Sequence, residues 1–363
     1  MLKATLTDKR SLWILLGLLA ILLANVLPAG VVERYYSRGL FPVIRWGFTV
    51  LNSWLPFASV YVLFVVLLGW AIASLVRFFK NKTPWPRRLG GALFSLLAFA
   101  GGVLFFFQVL WGFNYGRLPL ESRLNISPTP LAVNELRSEM EIAADEALRL
   151  RAMLPGAGDG PLPVSLLPDD IEKIMREKLA DCLHRFQYPV PGTVRGRMLW
   201  PKGILLRIST AGVYIPFTGE GNVDAGLHFL QLPFVLAHEM SHGYGFGDEG
   251  TCNFLAYLAC TLSDDPFLNY VGHLYYWRYV AGDYRALQPE AYKAFFEELP
   301  PGFKADLVAI RDEMDKYPDI FPAARDAVYH AYLQAQGIQE GLKNYDRVIM
   351  LVRAWRQSEE SRE

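Results

Sequence analysis

Two histidines four residues apart flank a glutamate in the run His238-Glu239-Met240-Ser241-His242, an H-E-x-x-H pattern. On a helix this spacing places both imidazoles on one face, where they can bind a single zinc ion. Glu239 would then be the general base that deprotonates a zinc-activated water during hydrolysis. Six mostly apolar residues precede the run, so burial is expected, and burying these polar groups without partners is costly. The sequence therefore predicts a metal centre.

A catalytic zinc site usually has three protein ligands, and two neighbouring carboxylates follow the run. Glu249 is one of them, and Asn253 four residues later could hydrogen-bond a ligand histidine. Asp248 is the other, and it fits the longer H-E-x-x-H-x-x-G-x-x-D pattern of metzincins, although no convincing Met-turn follows. We predict His238, His242 and Glu249 as the ligands, with Asp248 as the alternative.

Peptide hydrolysis also needs a donor that stabilises the tetrahedral intermediate. The candidates are His273, Tyr270, Tyr276 and Tyr345, and we predict His273 and Tyr345 as catalytic residues together with Glu239. Each of the four could instead belong to an aromatic-rich core. Three further histidines have no ligand spacing and are interpreted as structural: His184, His228 and His330.

Three apolar runs are long enough to cross a bilayer, which takes about 20 residues. They cover residues 12–27, 57–79 and 89–111. The first run also resembles a secretory signal peptide, an interpretation that the two later spans disfavour. No ionisable residue lies in the middle of a span, which argues against a transporter.

Basic residues mark the cytoplasmic side of such a protein. They cluster before the first span and between the second and third: Lys3, Lys9, Arg10, Arg77, Lys80, Lys82, Arg87 and Arg88. We therefore predict a membrane domain over 1–115, embedded in the lipid bilayer, and an extracytoplasmic domain over 116–363. The segment 42–54 between the first two spans is either a short interfacial helix or an ordinary folded loop.

Composition excludes little beyond this. The chain of 363 residues has 36 basic and 36 acidic residues, so its bulk charge predicts no nucleic-acid partner. The three cysteines form no disulfide framework, so they do not indicate whether the protein lies in an oxidising or a reducing compartment.

The segment after the spans is predicted to be mainly α with a small sheet. Helical periodicity covers 131–153 and 169–186, and the chain after 249 is predicted to be helical with breaks near 263–266, 300–301, 318 and 337. Strand character covers 192–217, chiefly at 204–208 and 212–215, and a turn is predicted at 218–222.

A small sheet, a metal helix and further helices is the order found in zincin-type zinc peptidases. The predicted fold class is thus three N-terminal transmembrane helices followed by a zincin-like α+β metallopeptidase domain. In such folds a strand just before the metal helix binds the substrate backbone. Val213 to Phe217 is the candidate strand, with an internal core strand as the alternative.

The sequence resembles an uncharacterised bacterial family of membrane proteins, known as a domain of unknown function. The resemblance covers nearly the whole chain and implies three spans followed by a zinc metallopeptidase domain. Its main stretches are Val32-Glu33-Arg34-Tyr35-Tyr36-Ser37, Trp111-Gly112-Phe113-Asn114-Tyr115, Gly212 to Glu220, Leu232-Pro233-Phe234, the H-E-x-x-H run, Gly245-Phe246, Asn253-Phe254 and the Tyr332 to Tyr345 region.

Family members commonly read Glu-Asp-Glu-Ala-Asn-Phe where this chain reads Glu-Gly-Thr-Cys-Asn-Phe from Glu249. The first Glu and the Asn are kept, so the resemblance implies Glu249 as ligand. It disfavours Asp248, and it implies no metal role for Thr251.

These observations predict a membrane-anchored zinc metallopeptidase of the bacterial inner membrane, acting on a peptide or protein substrate. The main alternative is a catalytically silent zinc-binding sensor or scaffold. An intramembrane protease is disfavoured because the apolar stretch before His238 is short and acidic residues follow closely. A purely structural membrane protein is the last alternative. The substrate and the oligomeric state stay open.

Overall fold

The computed structural model describes residues 8–320 and 346–360, together with 327, 330, 331 and 334. The chain forms two compact units: unit 1 is Met1–Leu118 with Ile215–Gly219, and unit 2 is Pro119–Tyr214 with Glu220–Glu363. The predicted fold class is confirmed in its main features, because the protein is mainly helical with three long apolar N-terminal helices and a small mixed sheet. The division into membrane and extracytoplasmic domains at 115/116 stays a prediction.

Unit 1 contains the three helices that are long and apolar enough to cross a membrane. Its four main helices are α1 Lys9–Val26, α2 Phe41–Asn52, α3 Val60–Lys80 and α4 Trp85–Leu110. All but α2 are candidate spans, as the sequence predicted. Helix α1 packs closely on α4, since a Cβ atom at Gly101 would lie 2.4 Å from the carbonyl oxygen of Trp13. Glycine at this position permits the close approach.

Helix α2 continues a helical segment that begins after α1. A turn at Ala29–Val31 leads into a π-helix at Val32–Leu40, which runs directly into α2. The structure thus shows a helix where the sequence left a helix or a loop open.

One face of α2 holds the loop Ile215–Gly219. The buried Arg45 side chain donates to the carbonyl oxygen of Gly219, and Asn52 Nδ2 donates to that of Thr218 at 2.8 Å. Gly219 has φ +66°, and a Cβ atom there would lie 2.4 Å from Phe48 Cγ. Only glycine fits this position, so the loop is matched to the α2 face.

Unit 2 is built mainly from helices. They are α5 Leu120–Leu124, α6 Val133–Ala152, α7 Ile171–Arg185, α8 Leu232–Gly243, α9 Glu249–Thr261, α10 Pro266–Leu287, α11 Pro289–Glu298, α12 Pro301–Met314 and α13 Arg347–Glu360. The predicted helices over 131–153 and 169–186 are confirmed as α6 and α7. The breaks near 263–266 and 300–301 are confirmed as well. The predicted break near 337 lies outside the described residues.

Three short strands form the sheet of unit 2. They are β1 Gly196–Leu199, β2 Gly212–Ile215 and β3 Glu220–Asp224, in the order β1-β3-β2. β1 pairs with β3 in parallel, with Gly196 opposite Gly221. β3 is therefore the central strand, and β2 lies at an edge.

Two predictions for this region are wrong. The sequence predicts a strand over 204–208, but the chain makes a 3₁₀ turn at Leu206–Ile208. The buried Asp224 carboxylate stabilises this conformation, because it accepts hydrogen bonds from the backbone N–H groups of Gly203, Leu205 and Leu206. The predicted turn at 218–222 is shorter, because β3 already begins at Glu220.

The core of unit 2 surrounds α8 and α9. Every residue of α8 is buried, and so are the first twelve of the thirteen residues of α9. A helix with no solvated face must satisfy its polar side chains internally. The polar groups of α8 therefore need partners within the protein or a bound ion.

Candidate metal centre

The two histidines of the H-E-x-x-H run lie on α8, whose ends are encoded locally. Pro233 occupies the first turn, where its missing N–H costs nothing. The helix ends at Gly243, and Gly245 follows with φ +87°, a conformation that glycine adopts without strain. Helix α9 then begins at Glu249 after the N-cap residue Asp248. This short connection brings Glu249 back to the histidine face of α8.

Three ligand atoms converge between α8 and α9. His238 Nε2 and His242 Nε2 lie 3.2 Å apart, and Glu249 Oε2 lies 3.1 Å from the first and 3.4 Å from the second. A tetrahedral zinc ion with bonds of about 2.0–2.1 Å would set its ligand atoms about 3.3–3.4 Å apart. The three residues, all buried, therefore have the spacing that a single metal ion requires. No second group of this kind occurs in the part of the chain that the structure describes.

The opposite nitrogen of each imidazole is held by an oxygen. His238 Nδ1 lies 2.8 Å from Asn253 Oδ1, and His242 Nδ1 lies 2.8 Å from the carbonyl oxygen of Phe246. Since both oxygens accept, each Nδ1 carries the proton, and in the neutral imidazole Nε2 keeps a free electron pair. Two such electron pairs and a carboxylate facing one point repel one another unless a cation lies between them. The predicted contact between Asn253 and a histidine of the H-E-x-x-H run is confirmed.

The ionisation of the site also reflects this convergence of negative charge. Burial lowers the pKa of His242, but the contacts with Cys252 and Glu249 outweigh burial and raise it well above its usual range. Burial alone would raise the pKa of Glu249, yet the histidines lower it far below its usual range. Both directions show that positive charge is favoured beside the Glu249 carboxylate.

Glu239 lies on the same helix, beside the two histidines. Its side chain is packed against the sheet, since Cβ atoms added at Gly212 and Gly221 would lie 2.6 Å from its Oε1 and 2.7 Å from its Cβ. Its buried Oε2 atom has no hydrogen-bond partner among the described residues. Burial raises its pKa to about 7, against the opposing effect of His238 and His242. A carboxyl group with these properties can both take up and release a proton near neutrality.

One tyrosine near the candidate ligands was missed in the sequence. The ring of Tyr214 on β2 has its centroid 6.5 Å from that of His242. Tyr214 has no spacing that connects it to the H-E-x-x-H run, so only the folded chain reveals it.

The family model described as "Protein of unknown function (DUF3810)" matches residues 36–353, which is most of the chain. The chain belongs to the DUF3810 family. No curated protein and no solved structure matches this DUF3810 member. The family membership agrees with the resemblance to a domain of unknown function, and the arguments about function therefore rest on the site itself.

The described donor candidates of this DUF3810 member are engaged away from the ligands. Tyr270 donates to Asp306 Oδ2 at 2.6 Å, and Tyr276 donates to Glu139. His273 stacks edge-on against Tyr257, with ring centroids 5.5 Å apart, and the charge of Glu146 on α6 acts on it. None of these contacts involves a ligand of the candidate site. Tyr345 lies outside the described residues, and the catalytic roles of His273 and Tyr345 stay predictions.

Asp248, the alternative third ligand, points elsewhere in this DUF3810 member. Its Oδ1 accepts a hydrogen bond from the backbone N–H of Thr251 at 2.7 Å, as an N-cap does. The same oxygen lies 3.1 Å from Nη1 of Arg347. The structure thus brings Glu249, and not Asp248, together with the two histidines.

Proposed function

We propose that this protein is a membrane-anchored zinc metallopeptidase. The observation that carries the proposal is the convergence of His238, His242 and Glu249 at 3.1–3.4 Å, with Glu239 buried beside them on the same helix. Two imidazoles and one carboxylate are the donor set of catalytic zinc sites that leave one coordination position open. A bound zinc ion would supply Lewis acidity that polarises a substrate carbonyl and activates water.

Side chains and backbone groups of the protein would transfer the proton, stabilise the oxyanion and orient the histidines. Glu239 takes a proton from the attacking water and passes it to the leaving amine, for which its elevated pKa and free Oε2 atom suit it. Tyr214, whose ring lies near His242, is the candidate donor to the developing oxyanion. Asn253 and the carbonyl group of Phe246 fix the orientation of the two imidazoles.

The substrate backbone is proposed to add to the edge strand β2. This strand is at the edge of the sheet, and its first residue, Gly212, lies directly against the Glu239 side chain. An extended peptide that pairs with such an edge is held by backbone hydrogen bonds, which recognise any sequence. The proposed substrates are therefore extended segments of peptides or proteins.

The proposed location is the outer side of the bacterial inner membrane. Three helices can span the bilayer, and basic residues precede the first span and cluster in the connection between the second and third. By the positive-inside rule the chain after the third span lies outside the cytoplasm. The substrates would then be proteins or peptides of that compartment.

The test uses the full-length protein in detergent or nanodiscs. Bound metal is measured by mass spectrometry, and cleavage of an unstructured peptide library is followed for wild type and Glu239→Gln. The exposed variant Glu141→Gln is the control, because it changes the same functional group on α6. We expect zinc in all three proteins and a loss of at least about 10²-fold in cleavage for Glu239→Gln alone. Zinc binding with equal cleavage by wild type and Glu239→Gln would refute the catalytic role, and zinc without any cleavage would favour a sensor or scaffold.

A further inference from the structure

The beginning of α9 presents two adjacent carboxylates in opposite roles. Glu249 faces the histidines, whereas Asp248 caps the helix through the backbone N–H of Thr251. The position of Glu249 thus depends on how firmly the first turn of α9 is held. A cap of this kind contributes about 1 kcal/mol to its helix.

An arginine side chain from the C-terminal part of the chain contacts the N-cap residue of this turn. Arg347, the first residue of α13, places Nη1 3.1 Å from Asp248 Oδ1. Its Nη2 pairs with Glu121 on α5, the first helix of unit 2. Arg347 and Glu121 are both largely buried, with 19% and 16% of their side chains exposed. One guanidinium therefore joins the first and last helices of unit 2 to the N-cap of the helix that carries Glu249.

We propose that Arg347 is a positioning residue for the metal centre, acting through Asp248 to hold Glu249 Oε2 opposite the two imidazoles. Because a guanidinium is planar and presents several N–H groups in fixed directions, it can orient two carboxylates at once. A carboxylate that is free to rotate at the N-cap would let the first turn of α9 fray, since terminal turns have few other hydrogen bonds. The inference rests on the metal-binding part of the proposed function and not on peptide cleavage.

The charge of Arg347 and its geometry have opposite effects on metal affinity. A positive charge near the site disfavours a divalent cation, whereas the fixed position of Glu249 favours it. Loss of Arg347 would leave the carboxylates of Asp248 and Glu121 without their cation, and this added negative charge favours metal binding. A fall in metal affinity would therefore report the positional effect. Loss of a group that supports a ligand typically lowers metal affinity about 10- to 100-fold.

The experiment is a double-mutant cycle on the full-length protein, read by zinc competition with a chelating dye. Arg347→Met should raise the zinc dissociation constant about 10-fold or more, and Arg347→Lys should do so less. Asp248→Asn keeps the helix cap but loses the ion pair, and Arg347→Met should have little further effect in its background. Arg185→Met is the matched control, because Arg185 makes an exposed ion pair with Glu359 on the same helix α13.

A second readout does not depend on metal. Amide hydrogen exchange at the first turn of α9, followed in peptides that contain Thr251, should accelerate in Arg347→Met and stay unchanged in Arg185→Met. If wild type binds no zinc, the proposed function fails, while exchange still tests the role of Arg347. Unchanged exchange overturns the inference, as does unchanged zinc affinity in a wild type that binds zinc. Additive effects of Arg347→Met and Asp248→Asn would show that Arg347 does not act through Asp248.

Discussion

A single methyl group on β2 should displace Glu239, the proposed general base, without directly displacing a candidate ligand. In Gly212→Ala the new Cβ would lie 2.6 Å from Glu239 Oε1, 2.7 Å from its Cγ and 2.8 Å from its Cδ. Ordinary contacts between carbon atoms begin at about 3.5 Å, so the Glu239 side chain must move by about 0.8 Å. A misplacement of 1 Å can cost about 100-fold in rate, and 0.8 Å then corresponds to about 40-fold.

The assay separates this displacement from a general loss of structure. We expect kcat for peptide cleavage by Gly212→Ala to fall about 40-fold. Zinc affinity should stay close to that of wild type, because the three atoms nearest to the new Cβ all belong to Glu239. The overlap should also lower stability by about 1–3 kcal/mol. Gly282→Ala is the control, since nothing lies within 4 Å of a Cβ atom at that position. Wild-type cleavage by a zinc-loaded Gly212→Ala protein would refute the reasoning that the position of Glu239 governs proton transfer.

Three further predictions concern groups that support the fold or the ligands. Asn253→Leu should raise the zinc dissociation constant about 10- to 100-fold, while Asn253→Asp, which keeps an acceptor for His238, should change it much less in a chelator competition. Asp224→Ala should lower the unfolding free energy by at least about 3 kcal/mol, seen as a lower melting temperature, because four backbone N–H groups lose their acceptor. Burial lowers the pKa of His273 to about 4, so the folded protein binds fewer protons than the unfolded chain between that value and about 6.5. Stability should therefore fall as the pH drops through this window, by about 2 kcal/mol at pH 5, and His273→Gln should lose less melting temperature than wild type between pH 7 and pH 5.

The chemistry of the site was largely predictable because its main residues lie close together in the sequence. The helical period places His238 and His242 on one face, and Glu249 and Asn253 follow at one helical turn from each other. Spacing alone could not decide whether Asp248 or Glu249 is the third ligand. It depends on which carboxylate caps α9, and the partner that fixes this, Arg347, lies 99 residues away.

The sheet was harder to predict, because tertiary contacts override local propensity there. Glycine and asparagine at positions 221 and 222 indicate a turn, yet these residues form the central strand β3. The strand is stabilised by pairing with β1 and by the buried ion pair between Arg197 and Glu220. Neither partner has a local signal, and the same holds for the contact between Gly212 and Glu239.

The loop between β2 and β3 belongs to unit 1 together with Ile215, the last residue of β2, whereas the rest of both strands belongs to unit 2. The polypeptide therefore changes units at three points along its length, after residues 118, 214 and 219. A fragment that starts at Pro119 would keep His238, His242 and Glu249. It would remove the donors Arg45 and Asn52 from the carbonyl groups of Gly219 and Thr218. Removal of unit 1 thus changes the loop that links β2 to β3, and an inactive fragment would not contradict the proposed function of the whole protein.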